Sequence, residues 1–224
     1  MNTTQLTWSL LLQPEQAFAS LRAQPRYAFP LLLMLGLTLA AIGLYFSQVD
    51  LPWLQSQLMA PPDDRPQDAM PVLSLKMLVV TSVLSTLIAV LGGRLLESGY
   101  YFLAGRVTRM EFPFSQWLAL ASWASLPLLL LPLLAVAMMP FHPEGQVLQE
   151  QLNALSLNEL FFQVPPHSPW FTLLSTLSVL HPWSWWLSAL GVKTWSGRGW
   201  GFSLVFALAP SVLIYGLWAL VVGL

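Results

Sequence analysis

The chain has 224 residues, of which 56% are hydrophobic and only 8% are Asp, Glu, Lys or Arg. Soluble domains carry about 25% charged residues, so a chain this poor in charge cannot cover a water-facing surface, and lipid is the solvent that tolerates it. A formal net charge of −1 supplies no basic field for nucleic acid, and the absence of cysteine removes disulfides, thiolate catalysis and thiolate metal sites together.

In chain order, Pro14 can open a short helix reaching about Gln24, since proline fits a first helical turn. Phe18 and Leu21 share a face of it, and Trp8 and Leu10 to Leu12 precede it. Residues 1–27 therefore read as an interfacial segment on the inner leaflet. A helix needs about 20 apolar residues to cross a ~30 Å hydrocarbon core. Five stretches meet that length, near 28–47, 72–91, 115–139, 170–191 and 201–224. The second continues through Gly92, Gly93 and Arg94 to about Ala104, which implies a helical extension bent at the two glycines. The first is too long for a cleaved signal core and no clear cleavage site follows it, so it is expected to stay. Between spans, residues 52–71 are rich in proline and aspartate and read as irregular. In 146–163, Leu148, Leu152, Leu155 and Leu160 recur near helical spacing between flanking prolines, which predicts a helix packed on the outer face.

The connections carry the orientation. Arg22, Arg26, Arg94, Arg106, Arg109, Lys193 and Arg198 fall on one side if the spans alternate. Arg65 and Lys76 fall on the other, with Asp50, Asp63, Asp64, Asp68, Glu144, Glu150 and Glu159. Lys and Arg set topology and acids contribute little. The fold expected is an all-α, polytopic bundle of five transmembrane helices in one domain, N-terminus cytoplasmic and C-terminus outside.

Three stretches together resemble the Yip family, polytopic membrane proteins named for interaction with Rab-type GTPases. They are QPEQAFASLRAQPRYAFPLLLMLGL at 13–37, SQWLALASWASLPLLLLPLL at 115–134 with Pro127 inside it, and SWWLSALGVKTWSGRGWGFSLVFALAPSVL at 184–213. The resemblance runs through the whole chain in order. It implies a five-pass helical domain without enzymatic activity, here in the compact form of the bacterial branch at the inner membrane. The long polar N-terminal region and the Tyr-Asp-Leu-type motif of the eukaryotic branch are not in this sequence, which argues against GTPase binding.

The residues that could carry chemistry are few. Arg94 and Glu97 are three apart at the cytoplasmic end of the second span and can pair, either as a boundary ion pair or as a polar anchor in an inward-facing cavity. His181 falls near the middle of the fourth span, followed by Pro182, where it either hydrogen-bonds a carbonyl freed by the proline or serves a transport path. Pro127, Pro132, Pro182 and Pro210 are candidate helix kinks, read as packing features or as broken helices lining a site. Gly36 with Ala40, and Ala121 with Ser125, are small-residue pairs that permit close helix approach within the chain. Trp53, Trp117, Trp170, Trp195 and Trp200 are assigned to the interfacial belt; Trp123, Trp183, Trp185, Trp186 and Trp218 are assigned to packing. Arg106, Arg109, Lys193 and Arg198 are candidate contacts for lipid headgroups. His142 and His167 lack ligand spacing, so neither a metal nor a cofactor is expected, and no nucleophile motif or phosphate loop is readable.

No connection is long enough to bury a core of its own, so function must reside in the bundle or on its two faces. The reading is a non-enzymatic membrane protein that organises lipids or another membrane protein. The alternative is a small transporter or channel with a polar cavity among proline-kinked helices.

Overall fold

The computed structural model describes residues 1–58 and 74–223. Arg65, Asp63, Asp64 and Asp68, the rest of the connection after Leu58, the start of the second expected span and Leu224 lie outside the described residues.

The chain opens with α1 (Thr3–Leu12) and α2 (Pro14–Ala23). Asn2 and Gln5 cap α1 reciprocally through side chain and backbone, and Pro14 stands in the first turn of α2. α3 (Ala28–Gln48) is a single 21-residue apolar helix. α4 (Leu51–Leu58) follows, so the connection expected to be irregular begins as a helix; the Asp50 carboxylate accepts the backbone N–H of Trp53 at its start.

The next helix runs 33 residues over Leu75–Val107. It consists of α5 (Leu75–Leu87), a π turn (Ile88–Gly92) and α6 (Gly93–Val107). Where a bend was expected at Gly92 and Gly93, the helix carries that π turn, the usual way to insert one residue into a helix. α7 (Phe114–Ala124) then gives way to a 3₁₀ turn (Leu126–Leu129) and α8 (Leu130–Met138), and the two halves meet at 49°.

Among the described residues three helices are long and apolar enough to cross a membrane, Ala28–Gln48, Leu75–Val107 and Trp200–Gly223, and the bent α7–α8 pair, taken as one span, makes a fourth. The stretch 170–191 is not one helix. It divides into α9 (Phe171–Thr176) and α10 (His181–Ser196), separated by residues 177–180. Pro182 has no N–H for the carbonyl of Ser178. That segment turns to the chain beside it, pairing Ser156 with Ser178 through bonds from Leu157 N–H to Leu177 and from Val179 N–H to Leu155. Gly197, with φ +68°, ends α10 in the left-handed conformation glycine adopts without strain. α11 (Trp200–Gly223) completes the bundle.

Two cores hold the elements. The larger joins α1, α2, the end of α6, α7, α10 and the start of α11 around Phe18, Tyr101, Trp117, Trp123, Trp195 and Phe206. α2 buries one face, with Ala17, Phe18 and Leu21 fully buried, and exposes the other at Glu15, Gln16, Ala19 and Arg22. α1 keeps an interfacial side: Leu6 and Leu10 point inward while Trp8, Leu11 and Leu12 are exposed. The smaller core, at the other end, joins Tyr45, Leu54, Leu78, Met139, Leu148, Leu152 and Phe171.

Several packing expectations change. Trp117 and Trp195 lie in the larger core instead of a belt, because their rings pack into its aromatic layer, 5.7 Å apart and tilted by 49°. Trp183 and Trp186 are exposed on α10, away from that layer. Ala121 and Ser125 are buried as expected, but Gly36 and Ala40 face outward, and a Cβ at Gly36 would meet nothing within 4 Å. The helix expected over 146–163 is replaced by a 3₁₀ turn (Glu150–Leu152) and a π turn (Asn158–Phe162). Asn158 binds both backbone groups of Val164 and the Ser156 hydroxyl accepts from Glu159 N–H, and such local bonds compete with a helix. Leu148 and Leu152 are still buried there, whereas Leu160 is exposed.

Gly145 ties this segment to the end of α3. It has φ +68°, its carbonyl accepts from Asp50 N–H, and a Cβ there would lie 2.2 Å from the carbonyl oxygen of Gln48. Gly145→Ala is expected to cost about 2 kcal/mol or more, from backbone strain plus a clash with main chain that cannot swing away. Gly43→Ala, with open space around it, is the matched control and should leave stability unchanged or slightly raised. Thermal unfolding of the two variants in one detergent checks this.

Candidate functional site

α6 places Arg94, Glu97 and Tyr101 at spacings of three and four, which stacks them on one face. Arg94 Nη1 lies 2.8 Å from Glu97 Oε2, with the two side chains 25% and 15% exposed. The same nitrogen donates to the Ala121 carbonyl on α7 at 3.3 Å. The fully buried Tyr101 hydroxyl lies 2.8 Å from Glu97 Oε1 and 3.0 Å from the Ala207 carbonyl on α11, so its one proton has two acceptors in reach. The ion pair thus joins three helices and is satisfied by main chain as well as by its partner.

His181 opens α10 and does not sit in mid-helix, and Pro182 occupies the first turn, where its missing N–H costs nothing and produces no kink. His181 Nδ1 lies 3.0 Å from the amide nitrogen and 3.2 Å from the carbonyl oxygen of Ser178, and Nε2 lies 3.5 Å from the Tyr215 hydroxyl. Trp185 and Tyr215 flank the imidazole at 5.8 and 5.9 Å. α11 carries both Tyr215 and the Ala207 carbonyl, and so links the two groups of residues into a polar layer across α6, α10 and α11.

A cavity of about 480 Å³ lies beside this layer, between α3, the π turn of the long helix, and α8. Its walls are apolar along most of their length. Arg94 and Ser125 stand at one end, and Tyr45, Gln149 and Asn153 at the other. Glu97 and His181 do not line it. Arg94 is therefore the one residue common to the ion pair and the cavity among the three singled out from sequence.

The prolines divide by role. Pro127 sits in the 3₁₀ turn between α7 and α8, and Pro132 in α8 lines the cavity. These two lack the N–H groups a continuous helix would need at the 49° bend. Pro210 lies buried within α11.

Most basic residues at the α1–α2 end are held by protein. Arg198 donates to the Thr108 carbonyl and covers Phe202 at 4.3 Å, Arg106 covers Phe102 at 4.5 Å, and Lys193 lies 3.5 Å from Glu15 and 5.2 Å from the Trp200 ring. Arg109 takes a positive φ of 61° in the turn after α6. Arg22 bonds the Trp195 carbonyl, Trp195 Nε1 the Phe18 carbonyl, Gln116 the Arg22 carbonyl and Trp123 the Arg26 carbonyl. At the opposite end, burial pushes the Glu159 carboxyl above the ordinary carboxylate range, partly offset by His142. Among the described residues no three His, Asp or Glu side chains come together as a metal ion would require.

Sequence reasoning missed Tyr101 and Tyr215. Tyr101 was readable: it stands four residues after Glu97 and seven after Arg94, on the same helix face. Tyr215 carries no such signal, because only the packing of α10 on α11 brings it to His181.

Several long apolar helices, packed around a bundle whose outer surfaces stay hydrophobic, define a multi-pass membrane protein. The chain matches the Yip1 domain over residues 8–221 and belongs to that family. Neither the curated proteins nor the solved structures contain a match.

Removing one member of the Arg94–Glu97 pair strands a partly buried charge. Arg94→Leu and Glu97→Leu should each destabilise, and the double variant should lose less than their sum, with a coupling of about 1–3 kcal/mol. Tyr101→Phe should cost about 1–2 kcal/mol by removing the buried proton that Glu97 and the Ala207 carbonyl compete for. Unfolding in detergent measures all four.

Proposed function

We propose that the protein is a non-enzymatic membrane component that organises lipid or protein partners at the inner membrane. It works through the side of the bundle formed by α3, α5 and α8. The observation that carries this is the apolar cavity on that side, with the Arg94 cation at one end. The polar side chains nearby are tied to main chain and to each other, an arrangement suited to holding shape more than to turning over a substrate.

In this reading the chain passes the membrane five times, N-terminus in the cytoplasm. Contacts at both ends support it. Residues 1–26 pack against α7 and the end of α10, while Gly145 meets the end of α3 and Gly223 meets Trp170. The broken α9–α10 segment then supplies the fourth crossing, and the basic residues gather at the cytoplasmic end. The Arg106, Arg109, Lys193 and Arg198 side chains add to headgroup attraction there, chiefly through Arg109, since the other three also serve protein contacts.

Isolation from native membranes in mild detergent should recover the same bound lipid or protein partner in repeated preparations. Recovery of none overturns the reading. A reporter fused after Leu224 that reads from the cytosol overturns the five-pass orientation.

The break at residues 177–180, with His181 beside Tyr215, favours a second reading, a small transporter or channel. Flux in proteoliposomes that falls at least about tenfold in both His181→Ala and Glu97→Gln would put transport first. Flux unchanged by both substitutions removes it.

A further inference from the structure

We propose that the cavity between α3, the π turn and α8 holds an acyl chain of one phospholipid, with the lipid phosphate at Arg94. The inference rests on the lipid-organising reading above and adds a ligand and its site.

The shape comes first. The cavity follows α3 from Leu31 to Tyr45, about 21 Å of helix axis at 1.5 Å per residue. One leaflet contributes about 15 Å of a ~30 Å hydrocarbon core, so a chain starting at the Leu31 end fits lengthwise. The walls at Leu31, Met34, Ile42 and Val90 offer it only hydrocarbon. A volume of about 480 Å³ lies within the usual range of small-molecule sites, about 300–1,000 Å³.

The charge comes second. A guanidinium carries five N–H donors. The contacts to Glu97 and Ala121 both fall on Nη1 of Arg94, which leaves the guanidinium with donors beyond those two bonds. Glu97 is itself held by Tyr101 on the side away from the cavity, so the pair fixes the guanidinium without filling its remaining donors. A phosphate diester offers oxygens that those donors can bind. A free phosphate would meet the donors but leave the apolar slot unused, and a fatty chain without an oxyanion would leave the donors unmet. A phospholipid satisfies both. The opposite end presents Gln149 and Asn153, which carry no charge, so the headgroup belongs at Arg94.

The test uses the full chain in vesicles of phosphatidylethanolamine and phosphatidylglycerol, doped with a phospholipid bearing a photoactivatable group in mid-chain. Native mass spectrometry of the extracted protein counts retained lipid. The expected result is one retained phospholipid, with label on α3 and α8. Ala135→Phe fills the slot and should abolish label at both helices; Ala89→Leu narrows it from the opposite wall and serves if the first variant fails to fold. Arg94→Gln should reduce retention about tenfold, as loss of a charge-assisted contact does. Arg94→Lys should retain it, and Glu97→Gln should not lower it, although both Arg94→Gln and Glu97→Gln break the ion pair. Equal loss in those two variants means that only the fold was disturbed and overturns the proposal. Label unchanged in the filled variants, label on a co-purifying protein instead of lipid, or retention that depends on Asn153→Ala in place of Arg94, overturns the site while leaving the lipid-organising reading standing. A wild-type protein that retains neither lipid nor partner overturns both.

Discussion

The fold depends on one helix that has no outside. Every residue of α7 from Trp117 to Ala124 is buried, which demands that α2, α6 and α10 approach it closely on different sides. Small residues make this possible. Ala119, Ala121, Ser122 and Ala124 keep α7 thin, and Gly191 and Gly105 on its neighbours have atoms of Leu120 and Trp117 where a side chain would begin. Between helices in lipid there is little hydrophobic drive, so close packing and shared hydrogen bonds carry association. Here the bonds are supplied by side chains reaching across to main-chain carbonyls: Trp195 to Phe18, Gln116 to Arg22, Trp123 to Arg26. The N-terminal helices are thereby tied to the bundle by one face each.

The same constraint governs the breaks. Main-chain groups released inside a membrane need other partners. At the π turn the ladder is kept by shifting its register, at Pro127 by tightening to a 3₁₀ turn, and at residues 177–180 by pairing with 155–157. Ala121 and Ala207 lend carbonyls to Arg94 and Tyr101, so the polar layer and the backbone satisfy one another. That layer is a joint between helices, and the cavity lies along its edge with only Arg94 in common.

How much of this could be read from the residues varied with the kind of signal. The long apolar helices and an irregularity near Gly92 follow from composition and helix length, and Arg94 with Glu97 follows from spacing along one helix. The divided fourth segment was half visible: Pro182 announced an irregularity, but whether proline kinks a helix or starts one depends on what Ser178 can pair with, and that partner lies 22 residues upstream. The tryptophans misled for a similar reason. Position along a span gives depth but not which way a ring points, so Trp117 and Trp195 read as belt residues although they close the aromatic core. Gly36 and Ala40 misled because a small pair permits contact without supplying a neighbour. The cavity was not readable at all, since it is defined by space between three helices far apart in sequence.

The long helix formed by α5, the π turn and α6 has only 6% of its most apolar window buried, in contrast to α7. Leu84 and Ile88 meet solvent hydrocarbon more than protein. Exchanging one oily side chain there for another alters neither shape nor contact, whereas the same exchange at Leu120 disturbs three helices. Tolerance to substitution in this protein is therefore distributed by neighbourhood more than by hydrophobicity, and the two kinds of leucine, alike in composition, are under quite different structural demands.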